Sequence, residues 1–196
     1  QGNVWFATQG GGLWRLDKNN VWKQYKHVEN DSTSLVSDLV NCLVIGEKGQ
    51  LYAATGDGLC EFLPSKGIFR RISIDAPSQD FTSLVISQGV MWISTIETIV
   101  KYTPGEPVQL FNKYDGLTCN QFIPNAGLLA SDGRIYFGST RGFNCFYPYL
   151  VKINQVAPPV AITSVELFGQ PIEAGSDQLE KSLSHASELN LSHNEN

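Results

Sequence analysis

Four times along the chain, a glycine is followed by an aromatic residue three positions on and by a small hydroxyl residue three beyond that. The sets are Gly2–Trp5–Thr8, Gly49–Tyr52–Thr55, Gly89–Trp92–Thr95 and Gly133–Tyr136–Ser139, with the glycines 47, 40 and 44 residues apart. Helical repeats of this period need long apolar stripes at helical spacing, and none precedes residue 176. The residues between glycine and hydroxyl are apolar in both alternating sets: in the first copy, Val4 and Phe6 point one way, Trp5 and Ala7 the other. A strand greasy on both sides must lie between two other layers.

The flanking segments complete the unit. After the hydroxyl residue a glycine marks a turn (Gly12, Gly58, Gly142), except in the third copy, where Thr98 predicts a different turn. A further strand follows in each copy: GLWRLD, GLCEFL, TIVKYT and GFNCFY. More polar strands come next at 21–26, 68–74 and 107–112, as expected of an outer edge. An inner strand precedes each later glycine (VNCLVIG, FTSLVIS, NAGLLAS), joined to it by hairpin sequences such as EKGQ and SDGR. The fold class is therefore all-β: four-stranded antiparallel β-propeller blades in a partial ring of about four. The chain enters at the second strand of one blade, passes through two complete blades and reaches the third strand of another. LVKIN (150–154) is the expected fourth strand of that last blade. An open arc leaves two apolar blade faces bare, a larger patch than a soluble monomer carries, so the chain is expected to form a homo-oligomer.

At residue 156 the pattern changes. The Pro158–Pro159 pair reads as a stiff linker, VAITSVELF as a strand and GQPI as a turn. The polar stretch 174–187 reads as loose, and ELNLSH as another strand. This divides the chain into propeller blades at 1–155 and a linker with the first strands of a truncated β-sandwich domain at 156–196.

Composition narrows the chemistry. Of 196 residues 42% are hydrophobic, enough for a packed core, and the formal charge of −5 argues against a nucleic-acid partner. No apolar run reaches membrane-spanning length. No signal peptide is evident, since the first residue already lies within a repeat, and the chain reads as a piece of something longer. Four cysteines, Cys42, Cys60, Cys119 and Cys145, allow three full pairings between which the sequence does not choose. Cys60 and Cys145 are expected at matching places in two repeats, as small buried hydrophobes. His27, His185 and His193 lack metal-ligand spacing, and no cofactor is expected. With no nucleophile elbow or phosphate-binding loop, the segment is expected not to be an enzyme; a glycoside-cleaving propeller is the least favoured alternative. Binding is expected where outer-to-inner crossovers gather, at 27–38, 75–80 and 112–125. The last of these combines Tyr114, Asp115, Asn120, Gln121 and Phe122, side chains suited to stacking on sugars and hydrogen-bonding them. The structural alternative is that Phe122 and Leu117 plug the blade and Asn120 caps a turn.

The segments GNVWFATQGGGLWRL, GQLYAATGDGLCEF and GRIYFGSTRGFNCF resemble the two-component regulator propeller repeat. YDGLTCNQF (114–122) resembles the stretch before the last blade of such proteins. FYP (146–148), PPVAITSVELFGQPI and LNLSHNEN resemble the passage into a triple-tyrosine (Y_Y_Y) domain. The departures are Tyr52 for tryptophan, the missing turn glycine of the third copy, and Ala7, Ala54 and Ser94 for glycine. The resemblance implies the periplasmic region of a hybrid two-component sensor histidine kinase from polysaccharide-degrading gut bacteria. Such a receptor carries two seven-bladed propellers, a Y_Y_Y sandwich, a membrane helix, a kinase, a receiver and a DNA-binding domain. It is dimeric and senses oligosaccharides from glycan breakdown. A scaffold propeller for protein interaction or dimerisation, without ligand contact, is the alternative.

Overall fold

The computed structural model describes residues 2–118, 121–151, 162–176, 179, 182, 183, 188, 189 and 191. The chain divides into two compact units, Gln1–Val151 and Lys152–Asn196.

The first unit is a row of four antiparallel sheets whose strands follow in sequence order. Blade 1 holds β1 (Val4–Ala7), β2 (Leu13–Leu16) and β3 (Trp22–Tyr25). Blade 2 holds β4 (Val40–Ile45), β5 (Leu51–Thr55), β6 (Gly58–Leu63) and β7 (Ile68–Ile72). Blade 3 holds β8 (Ser83–Ser87), β9 (Val90–Ser94), β10 (Ile99–Tyr102) and β11 (Gln109–Phe111). Blade 4 holds β12 (Phe122–Leu129), β13 (Ile135–Ser139) and β14 (Gly142–Phe146). The entry at a second strand and the last third strand fall as the repeat dictates. Leu150 lies in a 3-10 turn, Pro148–Leu150, and residues 152–154 of the expected fourth strand lie outside the described residues.

The repeated residues have mechanical roles. Gly2, Gly49, Gly89 and Gly133 all take φ between 76° and 85°, the left-handed region that a tight hairpin requires. In every blade the hydroxyl residue closes the next turn: Thr8, Thr55, Thr95 and Ser139 donate through Oγ to the carbonyls of Gly12, Gly58, Thr98 and Gly142. Gly58 and Gly142 reach φ of 145° and 133°. The third turn differs, as Thr98 predicts: its backbone N–H donates to Thr95 Oγ1 at 3.0 Å, and the two hydroxyls lie 2.9 Å apart.

Adjacent blades are tied at one end by backbone bonds. Val40 N donates to Thr8 O, Phe81 N to Thr55 O and Phe122 N to Ile96 O, at 3.0 to 3.1 Å. Each blade has a forward face towards the next and a rear face towards the previous one. Trp5, Leu13 and Tyr25 of blade 1 meet Leu51, Ala53, Phe62 and Phe69 of blade 2. Tyr52, Ala54 and Leu59 meet Leu84, Met91, Ile93 and Val100. Trp92, Ile99 and Phe111 meet Phe122, Ile135, Phe137 and Phe146. β5 is buried along its whole length, whereas in β1 only Trp5 is partly buried, and among the described residues no sheet lies against its rear face.

The register corrects the expectation for Cys60 and Cys145. Cys60 pairs with Ala53 in blade 2; the corresponding pair in blade 4 is Asn144 with Phe137, and Cys145 falls one residue later. One residue in a strand turns a side chain to the opposite face. Cys60 is fully buried and Cys145 exposed, and both are free thiols, as is buried Cys42. Burial pushes the Cys42 and Cys60 thiols above their ordinary pKa.

In the second unit, β15 (Glu166–Leu167) pairs with β16 (Gln170–Pro171). The hairpin turns at Phe168–Gly169, with φ of 50° and 79°, rather than at GQPI as the sequence suggested. Gln170 and Pro171 belong to the returning strand, and Ile172 N donates to Val165 O at 2.9 Å. The Pro158–Pro159 linker lies outside the described residues, as does half of ELNLSH.

A candidate ligand-binding end of the propeller

The crossovers enter the inner strands at the end where the hydroxyl-closed turns lie. The first crossover folds over blade 2. Asp38 Oδ1 accepts from His27 N at 2.7 Å, His27 Nδ1 lies 2.9 Å from Leu35 O, and the Leu35 side chain is fully buried. The outer strand holds this loop, with Phe69 N donating to Thr33 O and Arg71 Nη2 to Asp31 O. Hydrogen bonds from Thr33 hold the Asp31 carboxyl below its usual range.

Near the inner strands, side chains from three blades form one polar chain. Gln9 Nε2 donates to Asn41 Oδ1 at 3.4 Å. Asn41 Nδ2 donates to Asp80 Oδ1 at 3.2 Å and to Phe81 O at 3.0 Å. Burial lifts the Asp80 carboxyl above its ordinary pKa, with the hydrogen bond from Asn41 opposing and the Asp57 charge adding to the lift. Asn41 is buried with both ends of its amide engaged, so Gln9 and Asp80 carry the exposed part of this polar chain. The sequence reading named the loop carrying Asp80 but missed Gln9 and Asn41. The available signal was an asparagine in the otherwise apolar strand VNCLVI, since a buried amide needs partners.

The third crossover separates the residues that the sequence grouped. Asn112 and Asp115 form a reciprocal capping box: Tyr114 N donates to Asn112 Oδ1, and Asn112 N to Asp115 Oδ2. Tyr114 is left 86% exposed, with Lys113 Nζ 4.9 Å from its ring centre. Asp115 thus serves turn chemistry and keeps an exposed edge. Gln121 is exposed, and its Oε1 accepts from Thr140 Oγ1 at 3.0 Å. Phe122 is placed in the core instead: it is 5% exposed and packs on Phe137, so its ring does not face a ligand. It occupies the register position of Val40 in blade 2. Asn120 lies outside the described residues.

Beside this crossover is a cleft of about 240 Å³, lined among others by Trp92, Phe111, Asp115, Leu117, Asn144 and Phe146. The Trp92 indole N–H is buried and has no acceptor among the described residues. The internal repeat explains the space. In blade 2, the ring of Phe69 on the fourth strand packs beside Phe62, the counterpart of Phe146, and no fourth strand of blade 4 is present among the described residues. Among the described residues, no group of three His, Cys, Asp or Glu side chains is placed to hold a metal ion.

Comparison with known proteins agrees with this architecture. No protein-family model matches the chain. Histidine kinase P4 of Formosa agariphila is 26% identical over 203 residues, spanning 97% of this chain and 14% of that protein. The extracellular domain of the hybrid two-component system BT3049 from B. thetaiotaomicron superposes with a TM-score of 0.68 at 23% identity, covering 87% of this chain and 25% of that one. The likeness is one of fold: the chain is similar to part of a hybrid two-component extracellular domain. A second such domain, of BT4673 from the same organism, gives 0.60 at 17% identity, over 81% of this chain and 21% of that one. The chain therefore spans a small part of the proteins it resembles.

Proposed function

We propose that the chain is a non-catalytic extracytoplasmic segment of a hybrid two-component sensor, contributing propeller blades to a periplasmic ectodomain that reads oligosaccharides and signals to a histidine kinase. The observation that carries this reading is the similarity to a histidine kinase along 97% of the chain, in blades that superpose on hybrid two-component ectodomains. The crossover end supplies groups suited to glycans: the exposed Tyr114 ring, the exposed edges of Asp115 and Gln121, and the Gln9 and Asp80 side chains that flank Asn41. Residues 156–196 are read as the opening of a Y_Y_Y-type sandwich. Ligand signalling requires that the sugar prefer one arrangement of the ectodomain over another. The test is calorimetry of the intact ectodomain against plant, host and microbial oligosaccharides. A binder is expected, and Tyr114→Ala should weaken it about tenfold, ~1.4 kcal/mol. A complete panel without a binder overturns ligand sensing. The second reading, a scaffold without ligand contact, draws on the use of Phe122 in the core and of Asp115 in a capping box. It is favoured if a ligand is found and its affinity is untouched by removal of these blades.

A further inference from the structure

Between blades 2 and 3, at the end opposite the crossovers, lies a crevice of about 240 Å³. The β4–β5 hairpin supplies Gly46, Glu47, Lys48 and Gln50 to its wall. Ile86, Met91 and Pro104 of blade 3 form its apolar side, and Tyr52 of β5 lines it as well. The two hairpins beside it are clasped, with Glu47 Oε1 accepting from Gly89 N at 3.3 Å.

The sequence makes this space locally. Tyr52 holds the register position of Trp5 and Trp92, whose larger rings sit in the other two junctions. Gly46 lets Tyr52 and Gln50 come close, since a Cβ there would meet Tyr52 Cε2 and Gln50 Oε1 at 3.0 Å each. The polar groups inside are donors in want of an acceptor. Tyr52 is 9% exposed, and its hydroxyl makes no hydrogen bond among the described residues. Burial, with the Glu61 charge adding, lifts the phenol pKa, so the hydroxyl keeps its proton. Gln50 Oε1 accepts from Lys48 N at 3.2 Å, which leaves the Nε2 hydrogens to donate. Buried donors of this kind take a partner. The charges nearby balance: Glu47 against Lys48 at the rim, and Glu61 against Arg70 beside Tyr52.

We propose that this crevice binds a small zwitterion with an apolar side chain, an α-amino acid. Its carboxylate accepts from the Tyr52 hydroxyl, Gln50 Nε2 and the Lys48 ammonium. Its ammonium faces Glu47, whose Oε2 has no partner among the described residues. Its side chain lies on Ile86, Met91 and Pro104. A net-neutral ligand suits a site whose own charges balance, where a plain anion or cation would leave one charge unanswered. The volume is below the range of about 300–1,000 Å³ that larger ligands occupy, so the crevice holds one such molecule and not an oligosaccharide.

The test is calorimetry of the intact ectodomain with L-leucine, with isocaproate, which lacks the ammonium, with isoamylamine, which lacks the carboxylate, and with glucose. Leucine is expected to bind saturably, the two analogues at least about tenfold more weakly, and glucose not at all. Tyr52→Phe removes only the hydroxyl, and Lys48→Ala removes an exposed ammonium. Both variants should keep the wild-type circular dichroism and weaken leucine about tenfold. Four results overturn the proposal: no saturable leucine binding up to its solubility limit, an analogue that binds as tightly as leucine, a preference for glucose, or a leucine affinity unchanged in either variant. Oligosaccharide binding is read through Tyr114 at the other end of the blades, so neither experiment decides the other.

Discussion

Tyr52 stands where the neighbouring blades have tryptophan, and the change reaches across the strand pair. Trp5 lies under the Arg15 guanidinium at 5.9 Å and Trp92 under the Lys101 ammonium at 5.8 Å. Opposite Tyr52 the corresponding position is Glu61, 7% exposed, which pairs with Arg70 on the next strand. The cation has moved one strand outward, and a smaller ring accommodates the carboxylate. Asp80 is a different case, because what surrounds it disfavours its charge. Its folded pKa is raised, chiefly by burial. The stability that Asp80 contributes is therefore full below the unfolded carboxylate value of about 3.8 and is lost as pH rises through the elevated value. Asp80→Asn keeps a carbonyl oxygen for Asn41 Nδ2 and removes the charge. Its thermal midpoint should match the wild type in acid and exceed it at neutral pH. Melting curves across that range check this, and an increment that does not change with pH contradicts it.

At the scale of the strand and the crossover, blades depend on loops as much as on sheets. Leu35 belongs to no strand, yet it is fully buried among Tyr25, Phe62 and Phe69. It pins the first crossover over the junction of blades 1 and 2. Leu35→Ala should cost about 2–5 kcal/mol, as for other buried leucines, and urea unfolding measures it. A loss of only a few tenths would mean that the crossover is not part of the core. The strands themselves were legible in the sequence, because a two-residue alternation with apolar residues on both sides has few interpretations. The aligned glycines were legible because left-handed hairpin positions favour that residue. Cys60 and Cys145 were matched wrongly: counted from the turn glycines Gly58 and Gly142 they are offset by one residue, and strand pairing turns that offset into opposite faces. Asp115 and Phe122 have side chains fit for binding, but their surroundings decide their use. A capping box engages one and a core position the other, and composition encodes neither. Asn41 was marked by its place in an apolar strand, but its partners Gln9 and Asp80 belong to other repeats and meet it only when blades stack.

At the scale of the molecule, a row of blades in which each sheet is covered mainly by its neighbours behaves as a one-dimensional array. Protection should then follow position in the row. β5 and most of β9 are buried on both faces, while β1 pairs with β2 alone and has a bare rear face. β14 pairs with β13 and presents Phe143 to solvent. Amide hydrogen exchange of dilute chain should be slowest in β5 and β9 and fastest in β1 and β14, because local opening at an end uncovers one junction and at the centre two. Exchange as slow in β1 as in β5 would mean that an end blade needs no neighbour, contrary to mutual cover as the source of stability.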